Sequence, residues 1–291
     1  MFNCSLCPHQ CHAPRTEQHG DGRCRMPASP KLARAALHFG EEPCISGTNG
    51  SGTVFFSGCA LSCVFCQNYE ISHKDHGNIV SAERLAEIFR ELTAQGAHNI
   101  NLVNPTHFSH VIREALLMYK PPVPVVYNSS GYERVQTLKS LCGLIDIYLP
   151  DFKYADNALA AEFSGIADYR EYALAAIDEM LSQTGHLQTE NGIAVRGTMI
   201  RHLVLPGHTK NSIAVLEDIQ KHFGTDTVIS LMFQYTPVRS LEQKELNRTL
   251  TMRECRKVFD SLCESGFENG YVQDLESACS EFIPSFDLTG I

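Results

Sequence analysis

Thr53-Val54-Phe55-Phe56-Ser57-Gly58-Cys59-Ala60-Leu61-Ser62-Cys63-Val64-Phe65-Cys66 is a short β-type run that breaks at Ser57-Gly58 and passes directly into three cysteines spaced C-x3-C-x2-C. The pattern predicts a strand followed by a loop that gathers three thiolates. Three thiolates this close hold three irons of a [4Fe–4S] cluster and leave the fourth iron without a protein ligand. A zinc site asks for a fourth side chain and a purely electron-carrying cluster for a fourth cysteine, and neither follows nearby.

Outward from this stretch the chain alternates. Ser81 caps a helix in which Leu85, Ile88, Phe89 and Leu92 recur with helical spacing, and Gly96 ends it. Further strands are expected near 99–104, 123–128, 144–151, 195–205 and 227–234, with helices near 109–119, 133–141, 172–181, 212–223 and 251–265. Six strands alternating with helices imply an α/β fold with right-handed crossovers, a parallel sheet or partial barrel whose chemistry sits at the strand C-terminal ends. Three segments are expected: a Cys-rich irregular extension over 1–50, the core over 51–240 and a helical closure over 241–291.

Composition narrows the function. The chain carries Lys+Arg 24 against Asp+Glu 33, a net charge of −9, which argues against an extended nucleic-acid surface. Met1-Phe2-Asn3-Cys4 opens without a basic segment and apolar run, and no stretch approaches a membrane span, so a soluble cytoplasmic protein is expected. In that compartment twelve cysteines read as metal or redox chemistry rather than as disulfides.

The C-x3-C-x-aromatic-C motif, with Phe65 as its aromatic, resembles that of the radical S-adenosylmethionine (SAM) superfamily. Gln67-Asn68-Tyr69, Asp151-Phe152-Lys153 and the run Arg201 to Gly207 resemble segments of pyruvate formate-lyase activating enzymes. The runs Ala35 to Gly47, Asn104 to His107 and Asn128 to Tyr132 resemble an activase-related branch whose members are mostly uncharacterised. The resemblance implies a partial (β/α)6 TIM-like barrel. It also implies a [4Fe–4S] cluster on Cys59, Cys63 and Cys66, and SAM bound at the open iron and cleaved by an injected electron to methionine and a 5′-deoxyadenosyl radical. A flavodoxin- or ferredoxin-type reductant and, by analogy with activases, a glycyl radical protein are the implied partners. A small-molecule, peptide or RNA substrate is the alternative, and a non-catalytic iron–sulfur carrier or zinc-binding interaction protein is the alternative from another class.

The same resemblance assigns candidate residues. Phe65 is expected near the cluster or the adenine. Where activases carry a Gly-Gly-Glu type segment, Asn104 and Thr106 are the candidates to meet the SAM ammonium. Asn128 stands near an activase aspartate that contacts ribose or methionine. Asp151 and Lys153 share a face, so Lys153 is expected to pair with the SAM carboxylate and Asp151 to orient it or the ribose; a rim salt bridge is the plainer reading. Alternation sends only one of Arg201 and His202 inward, and Arg201 is taken as the catalytic candidate. Gln234 replaces a His-bearing turn, and His107 and His110 are within reach of the pocket by position.

Cys4, Cys7, Cys11 and Cys24 supply four thiolates in a segment with little apolar periodicity, so zinc or a second iron–sulfur cluster is expected there, with unmetallated thiols as the remaining alternative and Cys44 as a stand-in ligand. This module reads as separate from the radical-generating site. Cys255 and Cys263 fall on one helical stripe as core residues, whereas Cys142 and Cys279 have no ligand spacing.

Overall fold

The computed structural model describes residues 2–273 and 284–291. Short strands β1 (Phe2–Asn3) and β2 (Pro14–Arg15) pair within the cysteine-rich start. There follow β3 (Lys31–His38), α1 (Pro43–Ser46), β4 (Ser51–Phe56), α2 (Tyr69–His73), β5 (Asn78–Ile79), α3 (Ala82–Ala94), β6 (Ile100–Val103), α4 (Ser109–Met118), β7 (Val125–Ser129) and α5 (Val135–Ser140). The second half comprises β8 (Ile147–Pro150), α6 (Asn157–Ser164), α7 (Tyr169–Thr184), β9 (Gln188–Glu190), β10 (Ile193–Leu203), α8 (Thr209–Phe223), β11 (Val228–Met232), α9 (Met252–Glu264) and β12 (Gly270–Gln273).

The main sheet runs β12-β11-β10-β8-β7-β6-β4-β3-β5, with β9 added to β10. From β4 to β12 neighbouring strands are parallel, and β3 and β5 continue the other edge antiparallel. Among the described residues no ladder joins β12 to β5, so the barrel is open. The strands expected from the alternation are all present. Four more strands join them: β3 lies within the first fifty residues, β5 and β9 lie within the core segment, and β12 lies in the stretch expected to be helical. The C-terminal residues also return to β3, where Thr289 O accepts from Ala35 N at 2.8 Å and Asp287 pairs with Arg34.

Side-chain alternation sorts the strands into two faces. Val54, Phe56, Ile100, Leu102, Val125, Tyr127 and Tyr148 point outward into one apolar core with Leu85, Ile88, Phe89 and Leu92 of α3. Burying each such α3 side chain is worth about 1.5–3 kcal/mol, more than the ~1 kcal/mol of the Ser81 cap that accepts from Arg84 N. Packing therefore decides this helix, and the cap sets where it starts.

On the concave face Val126, Ile147, Leu149, Met199 and Val228 close around Cys44 and Ile45 of α1. Pro43 at the helix start and the bond from Asn99 Nδ2 to Ile45 O, 2.7 Å, fix this single-turn plug in place. The plug fills the barrel floor, and the strand ends above it remain free for chemistry. Cys44 is thus a floor residue, 1% exposed and apart from the other N-terminal cysteines, and does not stand in as a ligand there.

Helix α9 corrects the reading of its thiols. Cys255 and Val258 are buried against the α8 side, whereas Met252, Phe259 and Cys263 are turned outward and Phe259 is 42% exposed. The apolar stripe is wider than the surface available to cover it. Cys142 is exposed, and Cys279 lies outside the described residues.

Candidate active site

A cleft of about 260 Å³ opens at the C-terminal ends of the parallel strands, above the plug. Its walls include Phe55, Cys63, Phe65, Cys66, Asn128, Asp151, Lys153, Arg201 and Gln234. These come from β4 and its loop, β7, β8, β10 and the end of β11, so one face of several strands converges on one space.

The cysteine loop is shaped locally. Gly58 takes φ +78°, which turns the chain out of β4. Leu61 N donates to Cys59 Sγ at 3.4 Å, Ser72 Oγ to Cys66 Sγ at 3.3 Å, and Cys63 Sγ shares a 2.9 Å hydrogen bond with Ser164 Oγ. Burial pushes the Cys66 thiol up to about 11, with Cys63 adding to the rise; Cys59 is raised by burial, Cys63 and Cys66, and Cys63 is raised by burial. Three thiols this close resist ionising together, and bound iron reverses that by supplying positive charge at the sulfurs. Among the described residues no three His, Cys, Asp or Glu side chains converge tightly enough for a single metal ion. Thiolates at the corners of a cubane stand farther apart than those around one ion, so the donor set fits an iron–sulfur cluster. Phe65 packs edge-on to Phe163 and Tyr235, which fixes the segment between Cys63 and Cys66.

Lys153 and Asp151 leave β8 on the cleft side, Nζ to Oδ2 2.5 Å apart. The Lys153 backbone is pinned by Tyr169 OH, which accepts from its N–H at 2.9 Å, and by Asn211 Nδ2, which donates to its carbonyl at 3.0 Å. Burial works against the ammonium, yet Asp151 and Cys63 together hold its pKa above the ordinary lysine value. The cleft therefore keeps a fixed cation beside the cysteine loop, suited to a carboxylate ligand.

Arg201 faces the cleft and His202 the opposite side. Arg201 Nε donates to Glu42 Oε1 at 2.9 Å, its Nη2 donates to Glu41 Oε2 at 2.5 Å, and Glu42 Oε2 completes the pair. Asn101 Nδ2 donates to Glu41 Oε1 at 3.0 Å. These residues form a polar layer between the apolar plug and the open cleft. Glu41, Glu42 and Asn101 have no counterpart among the sequence-derived candidates; the Glu-Glu pair directly before Pro43 was the visible signal. His202 Nδ1 donates to Phe152 O at 2.7 Å in the outer core, and burial lowers its pKa to about 4.

Two assignments change. Asn104 sits at φ +60°, donates from Nδ2 to Gly58 O at 2.5 Å and places Oδ1 3.5 Å from Cys59 Sγ. It braces the cysteine loop from β6 rather than lining the cleft. Thr106 is 1% exposed and donates to Glu133 Oε1 beneath the surface, so its hydroxyl is spent inside the fold. His107 donates from Nε2 to Ser57 O at 2.6 Å and His110 packs against Phe2, so neither histidine lines the cleft.

Cys4, Cys7, Cys11 and Cys24 are brought to one locus, close enough that Cys4, Cys11 and Cys24 each bear electrostatically on Cys7. This locus adjoins the cysteine loop. Cys24 and Cys59 line a second cleft of about 360 Å³, and a Cβ added at Gly58 would lie 3.0 Å from the Cys24 carbonyl oxygen. The expected separation of the two cysteine sets does not extend to space.

A model of the radical SAM superfamily matches residues 53–219. An uncharacterized protein of Methanocaldococcus jannaschii is 30% identical over 268 residues, covering 89% of this chain and 73% of that protein. The structure of Streptococcus suis SuiB bound to S-adenosylmethionine is similar with a TM-score of 0.52 at 14% identity, over 76% of this chain and 50% of that one. That of HydG, a maturase of the [FeFe]-hydrogenase, gives 0.51 at 14% identity over 74% and 49%. The chain thus spans about half the length of these solved structures, and at such identity they show the fold alone. With the cysteine loop at the mouth of an open α/β barrel and more than half of its length matched by the family model, the chain belongs to the radical SAM superfamily.

Proposed function

We propose that this protein is a radical SAM oxidoreductase that reductively cleaves SAM and abstracts hydrogen from a glycine of a partner protein, in the manner of pyruvate formate-lyase activating enzymes. The observation that carries the first part is the convergence of Cys63, Cys66, Asp151, Lys153 and Asn128 on one cleft beside Cys59. When bound, the cluster and SAM supply reductive cleavage of the sulfonium and a carbon radical that abstracts hydrogen. The chain's own residues bind and orient: Lys153 meets the methionine carboxylate, Asp151 holds Lys153 and reaches the ribose, and Asn128 offers an amide from the neighbouring strand end. The plug and the Arg201–Glu42 layer close the barrel from below and keep water from entering there.

The second part concerns the substrate, and it is the sequence that supports it. The activase-like segments Asp151-Phe152-Lys153 and Arg201 to Gly207 agree with that reading. Anaerobic incubation of iron-loaded protein with dithionite and SAM should yield 5′-deoxyadenosine and methionine. With a candidate glycyl radical protein deuterated at glycine, deuterium should appear in the 5′-deoxyadenosine. No 5′-deoxyadenosine from fully loaded protein would overturn the enzyme reading. Deuterium arriving only from a labelled small molecule, peptide or RNA would overturn the glycyl assignment.

A further inference from the structure

We propose that Cys4, Cys7, Cys11 and Cys24 hold a second [4Fe–4S] cluster, with Arg15 as its buried counter-charge, and that this cluster passes electrons to the Cys59 loop. The argument starts from Arg15. Its side chain is 1% exposed, and a guanidinium stays charged in proteins. It donates to the carbonyls of Met26 at 2.9 Å and His107 at 2.6 Å and lies over the rings of Phe2 and Phe108. Among the described residues no carboxylate pairs with it. The remaining groups it faces are two sulfurs, Cys4 Sγ at 3.8 Å from Nη1 and Cys24 Sγ at 3.7 Å from Nη2. A buried cation without a counter-charge costs several kcal/mol, so the geometry favours negative charge on these sulfurs, which burial alone disfavours at Cys24. Metal-bound thiolates carry it.

The rest of the locus agrees. Arg23 N donates to Cys11 Sγ at 3.4 Å, and the backbone N–H groups of His9 and Met26 are directed at Cys7 and Cys24. Each sulfur thus receives a donor, as metal thiolates do. Gln10, His12 and Arg25, beside Cys11 and Cys24, hold φ of 42°, 50° and 57°, a left-handed backbone that side-chain-bearing residues adopt at a cost. In a segment with so little core, bonds to a metal are the constraint that maintains it. Among the described residues no three such side chains converge as a single ion requires, which agrees with a cluster, and the metal content of the reconstituted protein distinguishes it from zinc.

Position gives the function. Cys24 packs against Gly58, the residue before Cys59, and the cleft shared by Cys24 and Cys59 is lined by Arg23, Arg25 and Lys74, with Lys31 paired to Asp75 on the same wall. This cationic surface suits an acidic one-electron donor of the flavin or iron–sulfur class. A reduced flavin donor gives one electron and becomes its semiquinone as the N-terminal cluster passes from the 2+ to the 1+ state. The N-terminal cluster returns to 2+ as the catalytic cluster becomes 1+. The destination of the electron rests on the proposed function; the existence of the second cluster does not.

Anaerobically reconstituted wild-type protein should contain about eight irons and eight sulfides per chain, and the triple variant Cys59→Ala/Cys63→Ala/Cys66→Ala about four of each. The triple variant should give a reduced-cluster EPR signal that SAM leaves unchanged, with a midpoint potential that becomes more negative when Arg15→Met is added. One zinc per chain, or four irons in the wild type and none in the triple variant, overturns the second cluster. For the relay, 5′-deoxyadenosine formation is compared in Arg15→Met driven by reduced flavodoxin and by dithionite, which reaches either cluster. The flavodoxin-to-dithionite rate ratio should fall at least fivefold at unchanged KM for SAM, and an unchanged ratio overturns the relay. If wild type cleaves no SAM, the function proposed above falls, and the iron counts still decide the second cluster.

Discussion

Lys153 Nζ and Asp151 Oδ2 stand 2.5 Å apart, two residues from one another at the end of β8, and both are largely withdrawn from solvent. A surface pair of this kind is worth little, but here the lysine is held beside the cysteine loop and points to where an anionic ligand would lie. Lys153→Met is predicted to weaken SAM binding about 10- to 100-fold, the range of a charge-assisted hydrogen bond, at normal iron content. Equilibrium dialysis with iron quantified on the same samples checks it. Equal affinity in the two proteins would return the pair to a structural role.

Arg201→Leu is predicted to destabilise the fold by about 3–5 kcal/mol, because Glu42 is fully buried and loses its counter-charge. The double variant Arg201→Leu/Glu42→Leu should recover part of the loss, since no lone charge then remains buried. Denaturant unfolding of both variants is the test, and a double variant no more stable than the single one would refute this account.

The buried histidines make stability depend on acid. Burial and Arg15 hold His107 and His110 down to about 3 and about 4, and burial holds His202 to about 4, against an ordinary value of 6.5. Between these limits the unfolded chain binds three protons that the folded chain refuses, so stability is lost as pH falls through that window. Glu133 acts in the opposite sense. Burial raises it to about 7, so the folded state holds a proton that the unfolded state releases above its ordinary value of 4.5. Three histidines less one carboxyl leave about two protons taken up on unfolding near pH 5.5, a slope of about 3 kcal/mol per pH unit from these four groups, and His38 and His73, lowered chiefly by burial, act in the same sense. Unfolding free energies at pH 5 and 6 measure it, and a flat profile would exclude neutral histidines.

Asn104 allows its two contributions to be told apart. Asn104→Gly removes the amide bond to Gly58 O but keeps the left-handed backbone free of strain, whereas Asn104→Ala also adds about 1 kcal/mol of strain at φ +60°. Both variants should incorporate less iron than wild type, with the alanine variant the lower. Full iron loading in Asn104→Ala would show that the brace is dispensable.

The strands, helices and cysteine loop were legible because they are local: alternation, capping and spacing act over fewer than twenty residues. Asn104 was misplaced because, although asparagine is a common residue in left-handed backbone, nothing in the sequence shows that this turn aims the amide at Gly58. Glu41 and Glu42 were passed over for the opposite reason. Their partner Arg201 lies far along the chain, and nothing near Pro43 announces it. Cys263 follows the apolar stripe of α9 faithfully, but the stripe exceeds what α8 covers. Cys24 and Cys59 read as parts of two modules because their meeting depends on Gly58 lacking a side chain.

The plug formed by Pro43–Ser46 has a consequence for the order of assembly. During synthesis the piece that fills the barrel emerges before most of its walls. Glu42 then waits for Arg201, 159 residues later, before its charge is matched. Until β10 is made, the nascent chain holds an unmatched acidic floor and exposes the apolar faces of β7 and β8. Such long sequence separation makes late, cooperative closure the expected route. Ribosome-bound chains from which β10 has not emerged should stay protease-sensitive and those with Leu203 outside the exit tunnel become resistant, so maturation of the metal sites has the length of nearly the whole barrel in which to proceed.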